Sequence, residues 1–271
     1  MLEILNATKT FLKGTPNEHT AIDDVSLILA EGEFVTIIGS NGAGKSTLFN
    51  AVGGSFWLDR GRILLNGENI TYQQEHRRAA VIGRLFQDPI KGTAPDMTIE
   101  ENLALAYNRR MYSGLRIGVR RSDVEVFQEK LAGFGMGLEN RMKTKVGLLS
   151  GGQRQALSLL MSTIGKPLLL MLDEHTAALD PASAEKVLQI TKEIVSRENL
   201  TTMMITHNIH SALKTGTRTI MLDSGKIILD ISGKEREEMT VARLLELFSQ
   251  KSSNALDNDR MLLTKSRDIQ N

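Results

Sequence analysis

The sequence predicts an α/β fold with a mostly parallel sheet, an antiparallel β portion and an inserted α-helical region. Three observations carry this. The run Leu168-Leu169-Leu170-Met171-Leu172 is apolar at every position, which suits a strand covered on both faces inside a parallel sheet. A glycine-rich segment from Gly39 to Thr47 joins an apolar strand pattern to a helical one. Early strand patterns cluster, whereas later ones alternate with helical patterns.

In chain order, strand patterns cover residues 2–8, 25–29, 34–38, 62–65, 81–86, 168–172, 201–205, 217–222 and 226–230, each an apolar or alternating run bounded by Gly, Asp or Asn. Helical patterns follow Gly44, where Leu48, Phe49 and Val52 share a face, and begin again near Ser122, at Ser150 and after Pro181. Residues 89–147 read as the helical insert, with helices at 98–107 and 122–131 and a basic stretch at 116–121 between them. A further helix at 150–165 follows the insert. One α/β domain is thus expected over 1–230, a helical extension with a helix at 241–248 over 231–250, and a flexible polar tail over 251–271.

Composition narrows the function. The 33 Lys+Arg and 32 Asp+Glu among 271 residues leave a net charge of +1, so bulk charge advertises neither a nucleic-acid nor an acidic-membrane partner. The absence of cysteine excludes disulfides, thiolate catalysis and cysteine metal sites, and fits a reducing, intracellular compartment. The longest purely aliphatic run is far short of the roughly 20 residues that span a bilayer, so the chain itself is expected to be soluble.

Gly39-Ser40-Asn41-Gly42-Ala43-Gly44-Lys45-Ser46-Thr47 fits the phosphate-binding pattern G-x-x-x-x-G-K-[ST], in the strand–turn–helix context that the mechanism needs. Gly42 and Gly44 let backbone N–H groups curl around a phosphate, Lys45 neutralises its oxygens, and the Ser46 hydroxyl is placed to ligate Mg²⁺. Asp173 and Glu174 emerge at the carboxyl end of the buried strand, where sites of α/β proteins form. Asp173 suits a Mg²⁺ ligand, and Glu174 a base that orients and polarises an attacking water. ATP with Mg²⁺ is the expected ligand pair.

Leu149-Ser150-Gly151-Gly152-Gln153 opens a helix with Ala156, Leu157, Leu159, Leu160 and Ile164 on its apolar face. Ser150 reads first as an N-cap, but two successive glycines exceed what a cap requires, and bare amides at a helix N-terminus make an anion site. With these elements in this order, the sequence resembles the ATP-binding subunits of ABC (ATP-binding cassette) transporters over residues 1–230. The resemblance implies that Ser150, Gly151, Gly152 and Gln153 form the signature motif and reach the γ-phosphate held by a second subunit. It implies that Gln87 is the Q-loop glutamine sensing Mg²⁺ and water, Asp180 the D-loop aspartate, and His207 the switch histidine at the γ-phosphate. Phe11 is the nearby candidate for stacking on adenine. Asp180 before Pro181 also reads as an N-cap with proline at N1. His175 stands where many relatives carry proline and is assigned no chemistry. His207 and His210 offer no carboxylate partner, and a zinc site is not expected.

The resemblance further implies a homodimer closing on ATP at the cytoplasmic face of the membrane, joined to transmembrane permease subunits that dock a short helix near residues 87–107. Phe49-Asn50 and the segment Met97-Thr98-Ile99-Glu100-Glu101-Asn102-Leu103 resemble importers of branched-chain and related amino acids, which use an extracytoplasmic solute-binding protein. An exporter or a permease-release ATPase stays an alternative. A soluble non-transport ATPase of the same family fits less well, since one cassette is present without coiled coils.

Overall fold

The computed structural model describes residues 1–108 and 119–252. The chain divides into two compact units, one made of residues 1–73 and from 203 onward, the other of 74–202. Its elements, in chain order, are β1 (Leu2–Phe11), β2 (His19–Leu29), β3 (Phe34–Gly39), α1 (Lys45–Gly53), β4 (Arg60–Leu65), β5 (Glu68–Asn69), α2 (Glu75–Arg78), β6 (Ile82–Leu85), α3 (Ile99–Asn108), α4 (Arg121–Ala132), α5 (Gly151–Thr163), β7 (Leu169–Asp173), α6 (Pro181–Arg197), β8 (Thr202–Ile205), α7 (Ile209–Thr215), β9 (Arg218–Asp223), β10 (Lys226–Ser232), α8 (Gly233–Glu237) and α9 (Val241–Lys251).

In the first unit, β1 pairs antiparallel with β2 and with β4, which pairs with β5, giving the antiparallel sheet that the early strand cluster predicts. β3 runs parallel to β9, Val35 beside Arg218 through Gly39 beside Leu222, and β9 returns antiparallel into β10. β3 is buried along its whole length, and it delivers the chain to α1 at its carboxyl end. α9 packs Leu244 and Phe248 into a cluster with Ile38, Ile209, Ala212, Met221, Leu229 and Ile231. Each fully buried Leu or Phe contributes about 2 kcal/mol relative to exposure, enough to dock an eleven-residue helix that is marginal alone.

In the second unit, β6 and β7 are parallel, with Ile82 beside Leu169 through Leu85 beside Leu172. Leu169, Leu170, Met171 and Leu172 are all fully buried, as the unbroken aliphatic run requires. α3 starts with a capping box: the Thr98 N–H donates to Glu101 Oε2 at 2.7 Å, and the Glu101 N–H to Thr98 Oγ1 at 3.4 Å. The buried Asn102 side chain holds the preceding loop through both the N–H and the carbonyl of Ala94. The first half of the basic stretch at 116–121 and nearly all of the tail at 251–271 lie outside the described residues. Among the described residues, no helix is long and apolar enough to cross a membrane.

Candidate functional site

The phosphate loop of the first unit is built by steric exclusion. A Cβ on Gly39 would lie 2.2 Å from the Leu222 carbonyl oxygen, and one on Gly44 would lie 2.3 Å from that of Ala21. Gly44 sits at φ 100° as the N-cap of α1, a conformation that side chains rarely adopt. The cap has no side-chain acceptor, so the first-turn amides of α1 face the loop as an anion site at a helix N-terminus. Lys45 Nζ is buried and donates to the carbonyls of Gly39 at 2.7 Å and Ser40 at 2.8 Å. Its ammonium therefore already lies over the loop. Asn41, Gly42 and Ser46 are exposed, Ser40 and Thr47 half-buried, and Ala43 is buried with its carbonyl accepting from the Gly225 N–H at 3.1 Å.

His207 follows β8 and is exposed. The Thr206 N–H donates to the Ile37 carbonyl at 3.2 Å, which ties this strand end to β3 within the same unit. Phe11 is half-buried at the end of β1, edge-on to Phe56 with ring centroids 5.4 Å apart and with Lys9 Nζ 5.5 Å from its centroid.

In the second unit, β7 carries Asp173 and Glu174 out at its carboxyl end, both half-buried. Glu174 is held at φ 44°, an uncommon angle for a residue with a side chain, and its carbonyl accepts from the Ala177 N–H at 2.9 Å. Arg84 Nη2 lies 3.9 Å from Asp173 Oδ2, and its guanidinium stacks 4.8 Å above the Phe86 ring. Burial pulls the Arg84 guanidinium below its ordinary value, with Asp173 and Glu75 opposing the shift. Gln87 is exposed just beyond β6, and the neighbouring Phe86 carbonyl accepts from Gln155 Nε2 of α5 at 3.3 Å.

Ser150 caps α5 by accepting from the Gln153 N–H at 3.3 Å, while Gln153 Oε1 accepts in return from the Ser150 N–H. Gln153 Nε2 also donates to the Met136 carbonyl. Helix geometry gives the Gly151 and Gly152 amides no intrahelical acceptor. Asp180 caps α6 by accepting from the Ser183 N–H at 3.0 Å, and the Ser183 hydroxyl and amide draw its carboxyl below the usual range. The two caps meet: a Cβ on Gly152 would lie 2.8 Å from the Cβ and Oγ of Ser183, and one on Gly151 would lie 3.3 Å from Leu179 Cδ2. Gly152 thus has a packing reason inside the same chain, which the sequence argument from paired glycines did not include.

Arg84, Gln155 and Ser183 were missed from sequence. The signal for the first two was a polar residue inside an apolar pattern, since Gln155 is fully buried. His175, assigned no chemistry, is buried directly after the two carboxylates with Nε2 3.2 Å from Thr191 Oγ1, and burial lowers its imidazole to about 4. Ser46 in the first unit, and Gln87 and Asp173 in the second, each carry an oxygen donor of the hard type that suits Mg²⁺.

Residues 22–177 match the family described as ABC transporter. The chain is 44% identical over 248 residues to a tyrosine transport ATP-binding protein of Clostridioides difficile, covering 92% of this chain and 98% of that one. Among solved structures, it is similar to a dimeric ATP-binding cassette in a post-hydrolysis state bound to ADP and Pi, with TM-score 0.73 and 29% identity over 86% of this chain and 98% of that one. It is also similar to the ADP conformation of an ATP-binding cassette of an ABC transporter, with TM-score 0.75 and 25% identity over 92% and 98% of the two chains. The glycine cradle, the strand-end carboxylates and these likenesses agree, and the chain belongs to the ABC transporter family as an ATP-binding cassette, an ATPase.

Proposed function

We propose that this chain is the ATP-hydrolysing subunit of a membrane importer for an amino acid or a similar small organic solute, acting as a homodimer at the cytoplasmic face of the membrane. The observation that carries the substrate class is the near-full-length likeness to the tyrosine transport protein. In this reading, the α1 amides and Lys45 grip the phosphates, with Gly39, Ser40, Asn41, Gly42, Ala43, Gly44 and Thr47 shaping the cradle and Phe11 offering its ring to adenine. Lys45 exchanges the Gly39 and Ser40 carbonyls for phosphate oxygens. Ser150, Gly151, Gly152 and Gln153 of the partner copy approach the terminal phosphate, assisted by Asp180 at the neighbouring cap.

Glu174 takes the proton of the attacking water, Gln87 aligns that water, and His207 contacts the terminal phosphate. The φ of Glu174 sets the direction in which its side chain leaves the backbone. Ser46, Asp173 and Gln87 would supply oxygen ligands to Mg²⁺, which when bound would neutralise phosphate charge. Arg84 orients Asp173.

Transport needs permease subunits, and a groove of about 230 Å³ lined by Phe86, Lys91, Gly92, Leu105, Ala106 and Met161 suits a short docked helix. An extracytoplasmic solute-binding protein completes the importer, and no nucleic acid takes part. The test is capture of the tagged full chain from native membranes together with uptake assays. Permease subunits are expected in the eluate, with amino-acid uptake lost in Glu174→Gln; recovery of ribosomes or DNA instead would overturn the reading.

A further inference from the structure

The turn between β9 and β10 touches the phosphate loop at two places. Ser224 and Gly225 form a two-residue hairpin loop, both at positive φ (48° and 78°), as a type I′ turn demands. Its Gly225 N–H donates to the Ala43 carbonyl at 3.1 Å. Just before the turn, Asp223 is 3% exposed, and its carboxylate is shared: Oδ1 accepts from the Ser40 hydroxyl at 3.4 Å, and Oδ2 accepts from the Ser252 hydroxyl at 3.0 Å. Ser40 is the second residue of the phosphate loop. Ser252 is the C-cap of α9, and its N–H donates to the Phe248 carbonyl in the last turn of that helix, 2.8 Å away.

A buried carboxylate therefore connects the end of the C-terminal helix to the loop that cradles phosphate. A carboxylate taken out of water must keep its hydrogen-bond donors, because losing one costs more than a neutral bond would. We propose that Asp223 is a positioning residue for the phosphate loop, and that the docked end of α9 sets nucleotide affinity through the chain Ser252–Asp223–Ser40. This rests on the reading of Gly39 to Thr47 as the nucleotide cradle. α9 is not then a passive cover. The Ser252 hydroxyl on one carboxylate oxygen helps keep the other directed at Ser40, and without it the loop's anchor is weakened. Asp223 acts through Ser40 and touches no substrate itself.

The test is a double-mutant cycle on the full-length protein, read as ADP affinity by calorimetry in the presence of Mg²⁺. Ser252→Ala is expected to weaken ADP binding about threefold to tenfold while the protein stays folded at the assay temperature, and Ser252→Thr to restore it. Adding Ser252→Ala to Ser40→Ala is expected to cost little more than Ser40→Ala alone, because both act through one carboxylate. Wild-type affinity in Ser252→Ala, or strictly additive losses in the cycle, would overturn the proposal. Lys45→Ala serves as the separate control on the cradle: its retention of ADP would overturn the cradle reading, whereas an additive cycle overturns only the coupling.

Discussion

Gly152 answers to two demands, and they can be separated. A methyl group there meets Ser183 at 2.8 Å, on the side-chain stem and not on a flexible tip, so α5 and α6 must part. Gly152→Ala is expected to cost about 1–3 kcal/mol in chemical denaturation, and Ser183→Gly in the same chain to recover most of it. If that double variant regains stability yet not ATPase activity, the glycine amide serves the phosphate as well; if it regains both, packing alone explains the residue. His175 makes a pH statement. Its imidazole titrates near 4 when folded against an ordinary 6.5, so between those values the unfolded chain binds more protons and stability rises with pH. Stability is full above about pH 6.5, and falling pH removes up to about 3 kcal/mol by pH 4. His175→Gln should flatten the thermal midpoint between pH 7.5 and 5, and an unaltered slope would show that another group is responsible. The family was legible because glycine, lysine and paired carboxylates at fixed spacing have few other uses. The buried state of His175 was not, since one histidine before a polar turn carries no periodicity.

At the level of elements, long patterned segments were readable and short ones were not. β3 and β7 fall within a residue of their predicted limits, because each carries an unbroken apolar run, and α6 lies where the helical pattern after Pro181 is expected. β2 begins at His19, six residues before the expected start, since pairing with β1 extends it through residues of weak β pattern, with Phe11 opposite His19. α2, α7 and α8, of four, seven and five residues, are too short to show a period, and β5 has only two residues. α8 nevertheless anchors its unit through Arg236. Its Nη2 donates to the carbonyls of Ala212, Leu213 and Gly216, closing the end of α7, while Nε donates to Thr219 Oγ1 at 2.8 Å. Arg236→Ala strips these acceptors of their donor and is expected to lower stability by about 3 kcal/mol, read as a shifted urea midpoint. An unshifted midpoint would mean that water replaces the guanidinium without cost.

For the molecule as a whole, the sequence order of cradle, signature and carboxylates foretold a family but not the partition of its chemistry. The phosphate loop and His207 belong to one compact unit, whereas Gln87, Ser150, Glu174 and Asp180 belong to the other. That division has no local sequence signature, because the first unit is completed by residues some 130 positions later, after the second has been traversed. The central claim is that each nucleotide is held between the cradle of one copy and the α5 N-terminus of another. Sedimentation velocity of Glu174→Gln with saturating ATP and Mg²⁺ tests it most directly. A dimer that forms with ATP and dissociates with ADP is the expected result, and a stalled variant that stays monomeric at saturating ATP would contradict the claim.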